Sequence, residues 1–126
     1  DKFVGALDSA AIKVLELELG RTGMSESDAK RLGIDYSTTT VSVLDHPEYY
    51  PNPTLITIKI IYEKNTKVIL GAQAAGKKGA VLRIDAFAVA VHNRMTLSEL
   101  GMLDFCYAPP FAGVWDAINI ACNAAK

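Results

Sequence analysis

Apolar and polar positions change their spacing three times along this chain, and each change predicts a different element. From Ile12 onward Ile12, Val14, Leu15, Leu17 and Leu19 interleave with Lys13, Glu16 and Glu18. Alternation of this kind predicts one half-buried strand within residues 3–20, although Leu and Glu also favour helix. Gly20-Arg21-Thr22-Gly23 then reads as a turn. Ser25 is placed to cap a short helix, with acidic Asp28 three positions on and Gly33 as its stop. The β-branched density of Tyr36 to Val43 predicts a strand over Asp35–Leu44.

Asp45 to Pro53 interrupts this pattern. Pro47, Pro51 and Pro53 fall within seven residues, and proline neither donates to a ladder nor sits inside a helix, so the stretch is a loop. Leu55 to Glu63 alternates again and predicts a strand. Lys64-Asn65-Thr66 turns it back, Lys67 to Ala75 is its hairpin partner, and Gly76-Lys77-Lys78-Gly79 closes the hairpin. Over Ala80–Met95 the period lengthens: Val81, Ile84, Phe87, Ala88, Val91 and Met95 recur at helical steps. Alanines fill the other faces, so this helix is expected to be buried nearly all round, in a core or against another subunit. Thr96 and Glu99 form a capping box for a short helix. Leu103 to Phe111 holds Pro109-Pro110 and is expected to run as a stiff, extended rod presenting Tyr107 and Phe111. A last helix over Val114–Ala125 is expected to pack through Trp115, Ile118, Ile120 and Ala121. The order β-α-β-β-β-α-α-α predicts an α+β domain, an antiparallel sheet of about four to five strands with helices packed on one face.

Composition narrows the function. The 126 residues suit one domain, and half of them are apolar. A net charge of −1 supplies no field for nucleic acid or an anionic membrane. No apolar run approaches the length of a membrane span, and Cys106 and Cys122 make no disulfide framework, so a reducing cytoplasm is expected. The chain opens at Asp1-Lys2-Phe3-Val4 and enters patterned sequence at once, as a domain cut from a longer protein would.

Candidate chemistry is sparse. Gly76-Lys77-Lys78-Gly79 is the nearest thing to a phosphate loop, but neither dinucleotide nor P-loop spacing is present. Its default reading is a solvated turn, with Lys77 and Lys78 able to meet an anionic substrate group. His46 and His92 have no metal-ligand spacing around them, and His92 is expected to be an interior, hydrogen-bonded histidine. Cys122 reads as a buried apolar residue; Cys106, beside Tyr107, is a candidate thiol. Glu99 has a structural role as the closing residue of its capping box. Tyr49, Tyr50 and Tyr107 stand in proline-stiffened segments, where a phenol can stabilise an oxyanion or thiolate; interface packing is the alternative.

Tyr49-Tyr50-Pro51, Arg83-Ile84-Asp85 and Tyr107-Ala108-Pro109-Pro110-Phe111 ahead of Trp115-Asp116 resemble the C-terminal dimerisation domain of the pyridine nucleotide–disulfide oxidoreductases. The resemblance runs from Phe3 to Lys126 and is greatest to the coenzyme A disulfide reductase and NADH oxidase branch. The glutathione and dihydrolipoamide reductase branch carries H-P-T-x-x-E here, and its His is the acid–base residue. This chain reads Arg94-Met95-Thr96-Leu97-Ser98-Glu99, so Arg94 replaces that His while Glu99 is kept. The resemblance implies instead a pair of tyrosines reaching a small thiol or disulfide substrate across a homodimer: Tyr107 with Tyr49 or Tyr50, the expected spacing favouring Tyr49. It also implies FAD and NAD(P)H in a full-length enzyme, held by missing N-terminal FAD- and NAD-binding domains together with the active cysteine, with none bound by this fragment. A stand-alone, non-enzymatic α+β binding module is the alternative from a different class, and a small thiol enzyme using Cys106 is a third.

Overall fold

A computed structural model describes residues 1–125. Its core is a five-stranded antiparallel sheet in the order β1-β2-β5-β4-β3. The strands are β1 (Ala10–Val14), β2 (Leu17–Gly23), β3 (Tyr36–Leu44), β4 (Leu55–Glu63) and β5 (Ile69–Gly76). The helices are α1 (Glu26–Arg31), α2 (Ala80–His92), α3 (Leu97–Gly101) and α4 (Ala117–Ala124). The α+β class and the antiparallel sheet agree with the pattern of the sequence. Among the described residues no helix is long and apolar enough to cross a membrane.

The single strand expected within residues 3–20 is two. Val14 pairs with Leu17 and Ile12 with Leu19, leaving Leu15 and Glu16 as a two-residue turn. Leu15 enters it at φ 55, a conformation no Gly, Asn or Asp advertises. The signal lay in parity: apolar positions are even up to Val14 and odd from Leu17, which is what a two-residue reversal does to alternating faces. The segment 20–23, expected as a turn, is the continuation of β2 and pairs with β5 from Ala74 to Gly71.

One face of the sheet carries Ile56, Ile58 and Ile60 of β4, all fully buried beneath Ile84 and Phe87 of α2, Leu100 of α3 and Ile118 of α4. Period-two alternation in β4 meets helical periodicity in α2, and burying both apolar sets against each other supplies the main drive to fold. The opposite face holds Leu19, Arg21, Thr57, Lys59, Gln73 and Ala75, which with β1 line an open concavity of about 490 Å³. The short α1 is tied to that face through Glu26, which accepts from Tyr36 and Lys59. Its capping box of Ser25 and Asp28 forms as expected, and Gly33 follows it at φ 70.

Within this chain α2 buries Ala80, Ile84, Phe87 and Ala90 in the core and leaves Leu82 and Val89 exposed, so the core accounts for one face of the helix. Other expectations need correction. The last helix begins only at Ala117, because Asp116 caps it and receives the reciprocal bond from Asn119. Trp115 therefore precedes the helix and is exposed, and Ile120 is also partly exposed, so the packing face is Ala117, Ile118, Ala121 and Cys122. The Pro-Pro segment is not a rod throughout. Phe111 and Ala112 both donate backbone N–H groups to the Ala108 carbonyl, making a tight turn across the prolines. A proline's fixed φ suits the start of such a turn as well as an extended chain.

Candidate functional site

The loop between β3 and β4 is built to be stiff. At its base Asp45 N–H donates to the Thr54 carbonyl, and Thr54 N–H donates to Asp45 Oδ1 at 2.7 Å. Inside it His46 is only 3 % exposed. Its Nε2 donates to the Pro51 carbonyl at 3.0 Å, and its Nδ1 lies 3.1 Å from Asp45 Oδ1. Tyr50 packs edge-on against the imidazole, the ring centroids 5.6 Å apart. The imidazole is thus the interior of the loop, and His92, expected inside, is exposed at the end of α2. A histidine flanked by Asp45 and Pro47 on a proline-rich loop is positioned to staple that loop, which spacing alone did not reveal.

This packing turns Tyr49 outward, 73 % exposed. From the other side comes the segment leading to the Pro-Pro turn. Asn119 Nδ2 donates to the carbonyls of Gly101 and Leu103, each at 3.1 Å, which fixes where that segment leaves α3. Tyr107 follows, 48 % exposed. Its hydroxyl and that of Tyr49 are 3.1 Å apart. The contact raises the Tyr49 phenol pKa, the hydrogen bond to Tyr107 being the leading cause and desolvation the next. Raising a phenol pKa by hydrogen bonding means the protonated form is the one held. Either hydroxyl can donate in this contact, and the other O–H is then left to point elsewhere.

The expected pair is therefore brought together as Tyr49 with Tyr107, while Tyr50 is used against His46. Lys77 is not drawn to them: it pairs with Glu16 at 3.2 Å, in the β1–β2 turn on the far side of β5. Lys78 is exposed in the same loop. That loop does not close a hairpin; it carries β5 directly into α2, with Gly79 as the helix N-cap. At the start of α2 a carboxylate oxygen of Glu18 accepts from Val81 N–H at 3.4 Å.

The remaining candidates take structural places. Glu99 closes its capping box on Thr96, and the Thr96 backbone bond, then its hydroxyl, hold the carboxyl below the usual Glu range. Burial pushes the Cys122 thiol up to about 12, so it stays protonated and inert at neutral pH. Cys106 is exposed beside Tyr107. Among the described residues no group of three His, Cys, Asp or Glu side chains could hold a metal.

One residue of the site was quoted from the sequence without a role. Arg83, in the first turns of α2, donates through Nε and Nη2 to both oxygens of Asp116, each at 3.0 Å. It also donates to the carbonyls of Gly79 and Asp45, each at 3.1 Å, and to that of Phe111 at 3.5 Å.

Comparison with known proteins gives the family of the chain. Residues 9–118 match the family described as the pyridine nucleotide-disulphide oxidoreductase dimerisation domain. An NAD(P)H sulfur oxidoreductase (CoA-dependent) of Pyrococcus abyssi is 35 % identical over 124 residues, covering 98 % of this chain and 28 % of that protein. A coenzyme A disulfide reductase of Staphylococcus aureus is 31 % identical over 125 residues, covering 99 % of this chain and 28 % of its own length. Among solved structures, an NAD-dependent persulfide reductase from A. fulgidus superposes with a TM-score of 0.95 at 34 % identity, covering 98 % of this chain and 23 % of that one. The chain thus spans under a third of the length of the relatives it matches.

Proposed function

The chain belongs to the dimerisation domains of the pyridine nucleotide–disulphide oxidoreductases, and from that premise we propose that Tyr49 and Tyr107 complete the substrate site of such an enzyme across a homodimer. The observation that carries the reading is the 3.1 Å contact between the two hydroxyls on the protein surface. Two exposed phenols from separate, braced loops have no packing reason to converge. Whichever hydroxyl donates within the pair, the other keeps a proton free for a thiolate or oxyanion that develops as a sulfur–sulfur bond or an oxygen species is reduced. A neutral phenol suits this work, because at pH 7 it donates without adding charge.

The substrate class is a small disulfide, persulfide or polysulfide, or oxygen, in keeping with relatives named coenzyme A disulfide reductase, coenzyme A polysulfide/persulfide reductase and NADH oxidase. Lys77 and Lys78 sit on a loop at the same end of the sheet as the Tyr49 loop, where they would meet an anionic part of the substrate through charge alone. FAD and NAD(P)H supply the reducing electrons in this reading. In this reading both are held by other parts of the full-length protein. The exposed Leu82 and Val89 on α2 and the open face of the sheet are the surfaces for the second subunit and for those parts.

The test uses the full-length protein. Tyr107→Phe is expected to slow NAD(P)H-dependent disulfide reduction on the order of 100-fold while leaving reduction of the flavin by NAD(P)H at the parent rate. Unchanged disulfide turnover would return Tyr107 to a packing role.

A further inference from the structure

The two loops that carry the phenols approach each other from different parts of the chain. Among the described residues, the contact between Tyr49 and Tyr107 is the only direct hydrogen bond that joins them. The rest of their hydrogen-bonded connection runs through one side chain. Arg83 Nη2 donates to the carbonyl of Asp45, the first residue of the Tyr49 loop, and to Asp116, beyond the Pro-Pro turn that follows Tyr107, with the Phe111 carbonyl sharing a proton at 3.5 Å. Its Nε and Nη2 hold the Asp116 carboxylate, which also caps α4 by accepting from Ile118 N–H at 2.9 Å. Its Nη1 is anchored on Gly79, within its own helix turn. The guanidinium and the carboxylate are each 11 % exposed, so water competes little for these bonds.

We propose that Arg83 is the positioning residue of the phenol pair: its guanidinium fixes the distance between the Asp45 end of one loop and the Phe111–Asp116 end of the other, so that the two hydroxyls meet. This rests on the reading of the pair as substrate-facing. The geometry calls for arginine in particular. A planar fork presents donors along several fixed directions and cannot lose its charge, whereas an ammonium is a single point. Each loop is internally stiff, so their relative placement is the freedom left to control, and one rigid side chain removes it. A shift of about 1 Å between the loops would part the hydroxyls, and misplacement of that size is enough to cost on the order of 100-fold in rate.

The experiment is a double-mutant cycle in the full-length enzyme, read by disulfide turnover and by 13Cζ-tyrosine NMR titration assigned with Tyr49→Phe and Tyr107→Phe. Arg83→Gln is expected to lower kcat by roughly 10- to 100-fold and to move the Tyr49 titration down toward the ordinary phenol range. In the Tyr107→Phe background the same change is expected to cost no more than about twofold, because the two act as one unit. A role in folding alone would cost the same factor in both backgrounds and would overturn the proposal, as would an unmoved Tyr49 titration. If the titration moves while turnover does not, Arg83 positions the pair as proposed, and the catalytic reading of the pair is what fails. Should Arg83→Gln not fold, Asp116→Asn keeps a side-chain oxygen to cap α4 and breaks the ion pair, and the same two readouts decide with the same outcomes.

Discussion

The hydroxyls of Tyr49 and Tyr107 share a hydrogen bond of 3.1 Å across 58 positions of sequence. Neither side chain is buried, so the contact is not a by-product of core packing. It has a titration signature. The bond to Tyr107 is the largest of the influences raising the Tyr49 pKa. Tyr107→Phe removes the hydrogen-bond partner and is expected to bring the Tyr49 midpoint down toward about 10, whereas Tyr50→Phe is expected to leave it in place. A tyrosine-selective NMR titration distinguishes the two, and an unmoved Tyr49 midpoint in Tyr107→Phe would mean that the pair does not form in solution.

Backbone contact at the β2–β5 end sets a steric limit. A Cβ on Gly71 would lie 2.0 Å from the Met24 carbonyl oxygen and 2.6 Å from its nitrogen. Met24 is held there by its own bond to the Leu70 carbonyl. Gly71→Ala is therefore expected to destabilise the fold by about 3 kcal/mol, at the upper end of overpacking costs. Gly33 lies at φ 70 with open space around its α-carbon. Gly33→Asn is expected to cost well under 1 kcal/mol, since Asn tolerates that region. Denaturant midpoints of the two variants test the contrast, and equal losses would contradict it.

The capping boxes make the fold acid-sensitive. The carboxyls of Asp28 and Glu99 both sit below their ordinary values, held by backbone and hydroxyl donors of Ser25 and Thr96. A group depressed in the folded state binds more protons when unfolded, so its stabilisation is present above its unfolded pKa and is lost as pH falls through the folded one. Glu99→Gln retains a side-chain oxygen for the box but cannot titrate. Parent and variant are expected to show similar midpoints near neutrality, and below about pH 4.5 the parent is expected to fall more steeply. Parallel stability–pH curves would remove Glu99 from the acid response.

Most of the fold was legible in short-range pattern. Alternation in β4, helical spacing in α2 and the Ser25–Asp28 and Thr96–Glu99 boxes are each decided by residues within a few positions of one another. The Leu15–Glu16 reversal was written in the same alternation, as a change of parity, but Leu at φ 55 carries no turn chemistry to draw the eye. The α4 helix starts three residues beyond where the apolar pattern puts it, because Val114 and Trp115 continue that pattern while the cap belongs to Asp116.

For the site, the residues alone, through their likeness to a known family, named Tyr107 and the Tyr49-Tyr50 dipeptide and put Arg94 where a catalytic histidine would otherwise stand. The expected spacing favoured Tyr49 over Tyr50, and the fold shows what each side chain touches: Tyr50 packs on His46, and Tyr49 meets Tyr107. Arg83 stood in the sequence as one cation on a helix, and only the meeting of Asp45, Gly79, Phe111 and Asp116 around it gives it a task. Periodicity and capping act over one or two turns of chain, so a sequence determines them locally. Which loops share a side chain is decided by how the sheet and helices close on a common core, and that closure exists only in three dimensions.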